Sequence, residues 1–204
     1  MRVAGEEVLW NSIHDLLQAR ALEHADAPLV EVAGTITSWG ELKRAADRMA
    51  SALAAAGIGP GDRVCSMMDG RVEQLVVWFG TSKLGAVWVP LNTGLVGDDL
   101  QYTVRDAAPK ALFVEAETAT RFDDWPTDAP LPAAPICADS SPRFERWSGF
   151  TNATGEVRPA RVGPKNPGVI IYTGGTTGRP KGVVMPHFAF LARLPLSRRV
   201  RRRA

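Results

Sequence analysis

RVCSMMDGRVEQLVVWFGTSKLGAVWVPLNTGLVGDDLQYTVRDAAPKALFVE, residues 63–115, is the stretch on which the fold class turns. Three short apolar runs, RVCSMM, AVWVPL and KALFVE, are separated by two segments of helical character, 71–84 and 97–107. In the first of these, Leu75, Val76, Phe79 and Leu84 recur at a spacing that gathers them on one helical face. Strands that are apolar along their whole length must be covered on both sides. When each is followed by a single helix, the solution is a parallel sheet with right-handed crossovers. The expected class is therefore α/β, a parallel βαβ sheet with flanking helices. Trp78 and Trp88 fit it as core or interface residues, and Asn92-Thr93-Gly94 as a turn into the second helix.

Upstream of this unit, Val8, Leu9, Ile13, Leu16, Leu17 and Ala21 predict an amphipathic helix over 8–24, ending near Asp26-Ala27-Pro28. LVEVAGTITS then alternates apolar and polar residues around Gly34, the pattern of a short hairpin. Ser38 and Glu41 form an S-x-x-E capping box, which satisfies free backbone donors at a helix start. The helix it opens has Leu42, Ala45, Ala46, Met49, Ala52, Leu53 and Ala56 on its apolar face, and Gly57 supplies a left-handed stop. The glycines of GIGPGD, 57–62, do not make a dinucleotide fingerprint. Asp62 stands where the third glycine is needed, and the segment leads from helix to strand instead of from strand to helix.

Downstream, Pro126, Pro130, Pro132, Pro135, Pro142, Pro159, Pro164 and Pro167 break every candidate helix between 122 and 167, leaving an irregular connection with short strands in it, PICAD among them. The composition, 45% hydrophobic and 23% charged over 204 residues, is that of a globular chain able to bury a core. No apolar run approaches the ~18 residues of a membrane span, and the acidic residues of MRVAGEEVLW do not suit a signal peptide, so a cytoplasmic location without a transmembrane segment is expected. Cys65 and Cys137 lie far apart with no CxxC or Cys/His cluster, which argues against a zinc site or a disulfide framework. The net charge of +2 depends on Arg198, Arg199, Arg201, Arg202 and Arg203; removing those five charges takes it to −3. A basic tail can bind nucleic acid. No basic face elsewhere and no aromatic interleaving support that use here, and a truncation or a shifted reading frame accounts better for the tail.

The second informative stretch is GVIIYTGGTTGRPKGVVMPH, residues 168–187. Val169–Tyr172 and Val183–Val184 are strand-forming, and between them lie four glycines, three threonines and one lysine. Gly174, Gly175 and Gly178 let backbone N–H groups converge on an anion without a Cβ in the way. Thr173, Thr176 and Thr177 add hydroxyl donors, Lys181 adds a mobile positive charge, and Pro180 stiffens the loop exit. A plain surface hairpin would need the glycines but neither the threonines nor the lysine. The loop does not satisfy G-x-x-x-x-G-K-[ST], and a strand follows it, so its phosphate contacts would come without the helix dipole of a P-loop. His187, after the second strand, reads as structural, as do His14 and His24 at the first helix.

YTGGTTGRPKGVVMPH resembles the phosphate-binding signature of the adenylate-forming superfamily, the acyl-CoA synthetases, adenylation domains and luciferases. The family usually reads Tyr-Thr-Ser-Gly-Thr-Thr-Gly-x-Pro-Lys-Gly, and Gly174 replaces the serine. SWGELKRAADRMASALAAAGIGPGDRV resembles the helix and turn after the family's opening hairpin, and SKLGAVWVPLN its K-x-G-x-x-x-x-P-L-N signature. The likeness covers the chain to about residue 190: a partial N-terminal AMP-binding domain over 1–190, with the phosphate loop at 172–182, followed by an atypical Arg-rich tail at 191–204.

What the resemblance implies is ATP-dependent activation of a carboxylic acid, fatty or other acyl, through an acyl-adenylate, and then thioesterification to coenzyme A. Thr173 would contact Mg²⁺ or the phosphates; Gly174, Gly175, Thr176, Thr177, Gly178 and Lys181 would bind the nucleotide; Lys181 and Thr177 would act in catalysis by meeting charge on the β- and γ-phosphates. The expected partners are a small-molecule acid, ATP and CoA, with no nucleic acid. In the family the adenine and acyl pockets, a metal-binding glutamate, a ribose-binding aspartate and a mobile domain with the adenylation lysine lie beyond the signature. The chain by itself is therefore expected to be inactive, and a catalytically inactive nucleotide-binding or regulatory fragment is the alternative reading.

Overall fold

Alternate residues of the central strands pack into two different cores, and this alternation organises the molecule. The computed structural model describes residues 2–3, 6–7, 10–123, 125–126, 131, 135–139, 144–153, 155–175 and 178–192. In chain order the elements are β1 (Arg2–Val3), β2 (Glu6–Glu7), α1 (Ile13–Glu23), β3 (Pro28–Val32), β4 (Thr35–Ser38), α2 (Trp39–Ala55), β5 (Arg63–Met67), α3 (Val72–Lys83), β6 (Val87–Pro90), α4 (Gly97–Ala107) and β7 (Ala111–Val114). They continue with α5 (Ala116–Ala119), a 3₁₀ turn at Thr120–Phe122, β8 (Pro135–Cys137), β9 (Glu145–Arg146), α6 (Trp147–Phe150), β10 (Pro167–Gly175), β11 (Gly178–Pro186) and α7 (His187–Leu191).

Seven strands form one sheet in the order β11-β10-β6-β5-β7-β8-β9. All neighbours are parallel except β10 and β11, which form an antiparallel hairpin. β6 lies on one side of β5 and β7 on the other, so the chain reverses direction across the sheet between them. Two right-handed crossovers of opposite direction put their helices on opposite faces. On one face Val64, Trp88, Ala111, Phe113 and Val169 pack with α1, α2 and α3; on the other Cys65, Met67, Val89, Leu112 and Val114 pack with α4 and α5. The βαβαβ expectation for 63–115 therefore holds, with helices on both faces.

Local signals account for the flanking elements. Ser38 Oγ accepts from the Glu41 N–H at 3.2 Å while the Ser38 N–H donates to Glu41 Oε2 at 2.8 Å. Gly57, at φ +79°, ends α2, with the Ile58 N–H donating to the Leu53 carbonyl at 3.0 Å. The β3–β4 hairpin turns through Ala33 and Gly34, both at positive φ, as a two-residue hairpin turn requires. Helices α2 and α3 meet at Gly80, where a Cβ would lie 2.7 Å from Met49 Cγ and 3.1 Å from the Ala46 carbonyl, so the close approach needs glycine.

Three expectations need correction. The first helix begins at Ile13, five residues later than the apolar spacing suggests, because Ser12 caps it in a second box with Asp15, the two bonds being 3.1 and 3.0 Å; Val8 and Leu9 lie outside the described residues. Ala56 is exposed, since it already belongs to the helix end and not to its buried face. The loop expected at 172–182 is largely strand, because the β10–β11 ladder runs on to Gly175 and Gly178. Among the described residues no helix is long and apolar enough to cross a membrane.

Candidate functional site

β10 and β11 carry the glycine- and threonine-rich sequence as a hairpin at the edge of the sheet. Val169, Ile170, Ile171 and Tyr172 give β10 its extended preference, and Val183, Val184 and Met185 do the same for β11. Tyr172 pairs with Gly182 and Thr173 with Lys181. The next pair is Gly175 with Gly178, so Arg179 and Pro180 on β11 stand opposite Gly174 alone. That is a bulge, a place where proline is tolerated because no ladder hydrogen bond is lost.

Thr173 and Lys181 are thus direct cross-strand partners, ~5 Å apart at Cβ by the geometry of such pairs. Both are exposed, as are Gly174 and Gly178. Among the described residues, immediate chain neighbours aside, no atom lies within 4 Å of where a Cβ would stand on Gly174 or Gly178. Packing among the described residues does not call for glycine at either position, and the open space admits an outside group close to the backbone. Among the described residues Lys181 makes no ion pair. An uncompensated ammonium, a hydroxyl and bare backbone at one strand end form a donor set suited to phosphate. Thr176 and Thr177 lie outside the described residues. No group of three or more His, Cys, Asp or Glu side chains that could hold a metal ion occurs among the described residues.

Two contacts tie the hairpin to α4, and sequence reading missed both. The Tyr172 hydroxyl donates to Asp106 Oδ2 at 2.5 Å. Arg179, re-aimed by the bulge, places its guanidinium carbon 5.0 Å from the centre of the Tyr102 ring. Burial, reinforced by the Asp106 carboxylate, pushes the Tyr172 phenol well above its ordinary range, so it stays a protonated donor. The only advance signal was the i, i+4 spacing of Tyr102 and Asp106, which puts them on one helical face.

The second signature, SKLGAVWVPLN, is structural. Lys83 is buried and ion-paired to Asp47 at 2.7 Å, and Lys43 holds the other carboxylate oxygen at 2.6 Å. Gly85 takes φ +67° against Val162. Asn92 Oδ1 accepts from the Gly94 N–H at 2.8 Å, the expected turn. Trp88 is buried, donates from Nε1 to Ser66 Oγ at 2.9 Å, and stacks on Trp78.

His187 starts α7 at the base of the hairpin, away from the tip, where a Cβ on Gly168 would lie 2.7 Å from its Nδ1. His14 is likewise buried, and neither ring nitrogen of either histidine has a hydrogen-bond partner among the described residues. Burial lowers both pKa values below the ordinary 6.5, helped for His14 by Lys83. A base whose folded pKa is depressed stays neutral in the folded state while the unfolded chain takes up a proton. Stability is therefore full above 6.5 and falls as pH drops through and below it. The expected result is a melting temperature that declines from about pH 7 to about pH 5, with a shallower decline in His14→Gln/His187→Gln. A melting temperature flat across that interval would contradict it.

A family model described as AMP-binding enzyme matches residues 17–202. The chain is similar to the fatty acid–[acyl-carrier-protein] ligase ScoC of Streptomyces coeruleorubidus, 34% identical over 167 residues, covering 81% of this chain and 31% of the relative. It is also similar to the 3-hydroxybenzoate–CoA ligase of Aromatoleum sp. (strain CIB), 30% identical over 167 residues, covering 80% of this chain and 32% of that one. Among solved structures, the Mycobacterium tuberculosis fatty acyl CoA synthetase superposes with a TM-score of 0.74 at 30% identity, over 86% of this chain and 34% of that chain. The chain thus spans about a third of the length of these curated relatives.

Proposed function

Because the chain belongs to the AMP-binding enzyme family, we propose that it supplies the phosphate-binding part of a ligase that activates a carboxylic acid with ATP and passes the acyl group to a thiol. The observation that carries this reading is the β10–β11 hairpin, whose tip brings together exposed glycine backbone, Thr173 and Lys181, which makes no ion pair among the described residues. In the first step a carboxylate oxygen of the acid bonds to the α-phosphorus of ATP and the bond to pyrophosphate breaks. In the second a thiol sulfur bonds to the acyl carbon and AMP leaves. Negative charge accumulates on the departing phosphates in the first step, and donors already in place lower that barrier because they need no reorganisation.

In this reading Lys181 meets the β- and γ-phosphates, the backbone of Gly174, Gly175 and Gly178 approaches them closely, and the Thr173 hydroxyl bonds a phosphate oxygen or the metal. Thr176 and Thr177 are assigned to the same phosphates by their place in the signature. Magnesium enters with ATP as part of the substrate, neutralising phosphate charge, and a single threonine hydroxyl is a fitting protein ligand for an ion held mainly by phosphate and water. The thiol is coenzyme A and the acid a fatty or other acyl acid. The relatives act on both fatty and aromatic acids by their names.

The test is acid-dependent exchange of labelled pyrophosphate into ATP with a panel of fatty and aryl acids. Exchange with at least one acid is the expected result for the protein that carries this chain as its phosphate-binding part. The 204 residues by themselves are expected to give none. Nucleotide binding without exchange in the full protein would instead favour a regulatory role.

A further inference from the structure

The described β10–β11 ladder runs out to the pair Gly175 and Gly178, and each of its strands is fastened to α4 one helical turn apart. On β10 the Tyr172 hydroxyl reaches Asp106, and on β11 Arg179 lies over Tyr102. Two further features make these contacts possible. The bulge at Arg179-Pro180 turns the arginine onto the α4 face, where strict alternation would place it beside Lys181 on the other face. Gly182, the partner of Tyr172, leaves the tyrosine ring room, since a Cβ there would lie 3.2 Å from Tyr172 Cζ and 2.9 Å from the Ile170 methyl. The ring lies across the bare backbone of β11 toward the helix. Between α4 and Arg179 the surface opens into a cleft of 730 Å³ whose lining includes Asp98, Asp99, Tyr102, Arg105, Asp106 and Arg179, so the two fastenings stand at its wall, outside the apolar packing of Ile170 and Tyr172 on the core that α4 shares.

From this geometry we infer that Tyr172 and Asp106 are positioning residues, with Tyr102 and Arg179 as their counterpart on the second strand: together they set where the phosphate-binding tip stands relative to the sheet. The inference rests on the proposed reading of the tip as a phosphate site. None of the four needs to touch substrate. They act by holding Thr173 and Lys181, which follow Tyr172 and precede Gly182 directly in the chain, at one distance from the sheet end. A loosened clamp leaves the same donors present but spread over more positions, so the polyphosphate binds less well while the acid, held elsewhere, is unaffected.

The test uses the full protein that carries this chain, with two readouts. In pyrophosphate exchange, Tyr172→Phe and Asp106→Ala are each expected to raise KM for ATP about tenfold, with KM for the acid and the melting temperature unchanged. The double variant is expected to be no worse than either single one, because both break the same bond. Asp106→Asn, which keeps an acceptor for the tyrosine hydroxyl, is expected to restore KM for ATP to within about twofold of the parent. The second readout needs no catalysis: amide hydrogen exchange at Gly174 and Gly175 is expected to quicken severalfold in Tyr172→Phe and not in Asp106→Asn. If the parent shows no pyrophosphate exchange, the proposed function fails while the amide readout still decides the clamp. Unchanged amide protection, additive single variants, or equal rises in both KM values would overturn the clamp itself.

Discussion

Replacing Lys181 by alanine in a ligase that carries this chain is expected to lower the rate of adenylation by ~10²–10³, equivalent to ~2.7–4 kcal/mol, the range typical for removing one preorganised donor from developing charge. Binding of the acid is expected to stay the same. The asymmetry follows from where the ammonium stands. Lys181 is exposed at the hairpin end, opposite Thr173, and among the described residues it neutralises no carboxylate, so its removal breaks no ion pair that the fold requires. Its charge is available to an outside anion and gains most when negative charge moves onto the leaving pyrophosphate. Exchange kinetics, with acid affinity measured separately, check this. An equal loss of both properties would assign Lys181 to folding.

The largest stability effect is expected at Phe113. Its side chain is fully buried on β7, in the core shared with α2 and α3, and it makes edge contacts with Trp147 and Phe150, ring centres 5.6 and 5.5 Å away. Phe113→Ala removes the ring's burial and leaves a cavity among rigid neighbours, a change that costs ~3–5 kcal/mol. The loss is compounded because α6, a single turn in the proline-rich connection, has no buried residue of its own and depends on these ring contacts. Urea unfolding of the variant beside Val183→Thr, on the exposed edge strand, provides the comparison. The second change is expected to stay within about 0.5 kcal/mol. A Phe113→Ala loss below about 1 kcal/mol would mean that the connection collapses into the space left behind.

The parts of the fold that could be read in the sequence are those fixed by local rules. The Ser38–Glu41 box, the Gly57 stop and the Gly34 turn are dictated within a few residues, and the alternation of Val64 with Cys65, or of Leu112 with Phe113, requires cover on both faces whatever lies far away. The onset of the first helix is harder to read, because apolar spacing continues through Val8 and Leu9 while the capping box at Ser12 sets the start. At the proposed site, the glycines, Thr173 and Lys181 can be singled out in the sequence because an anion site favours those types. Asp106 and Tyr102 cannot, since their relation to the hairpin is set by the sheet order and by a one-residue bulge. No spacing along the chain encodes which helix will lie beside a strand that joins the sheet so much later.

That late joining has a consequence for the order of events when the chain folds. β5, β6 and β7 become neighbours through short crossovers, whereas β10 enters the sheet beside β6 only through a long connection, at Val169 and Trp88. Closing a large loop must precede any reward from that pairing, and contacts distant in sequence form slowly. The hairpin is therefore expected to dock after β5, β6 and β7 have paired, an order that folding kinetics of a Val169→Ala variant would check. A ligand that binds only the docked tip would favour the docked state by mass action, tying the hairpin's place in the sheet to the occupancy of its tip.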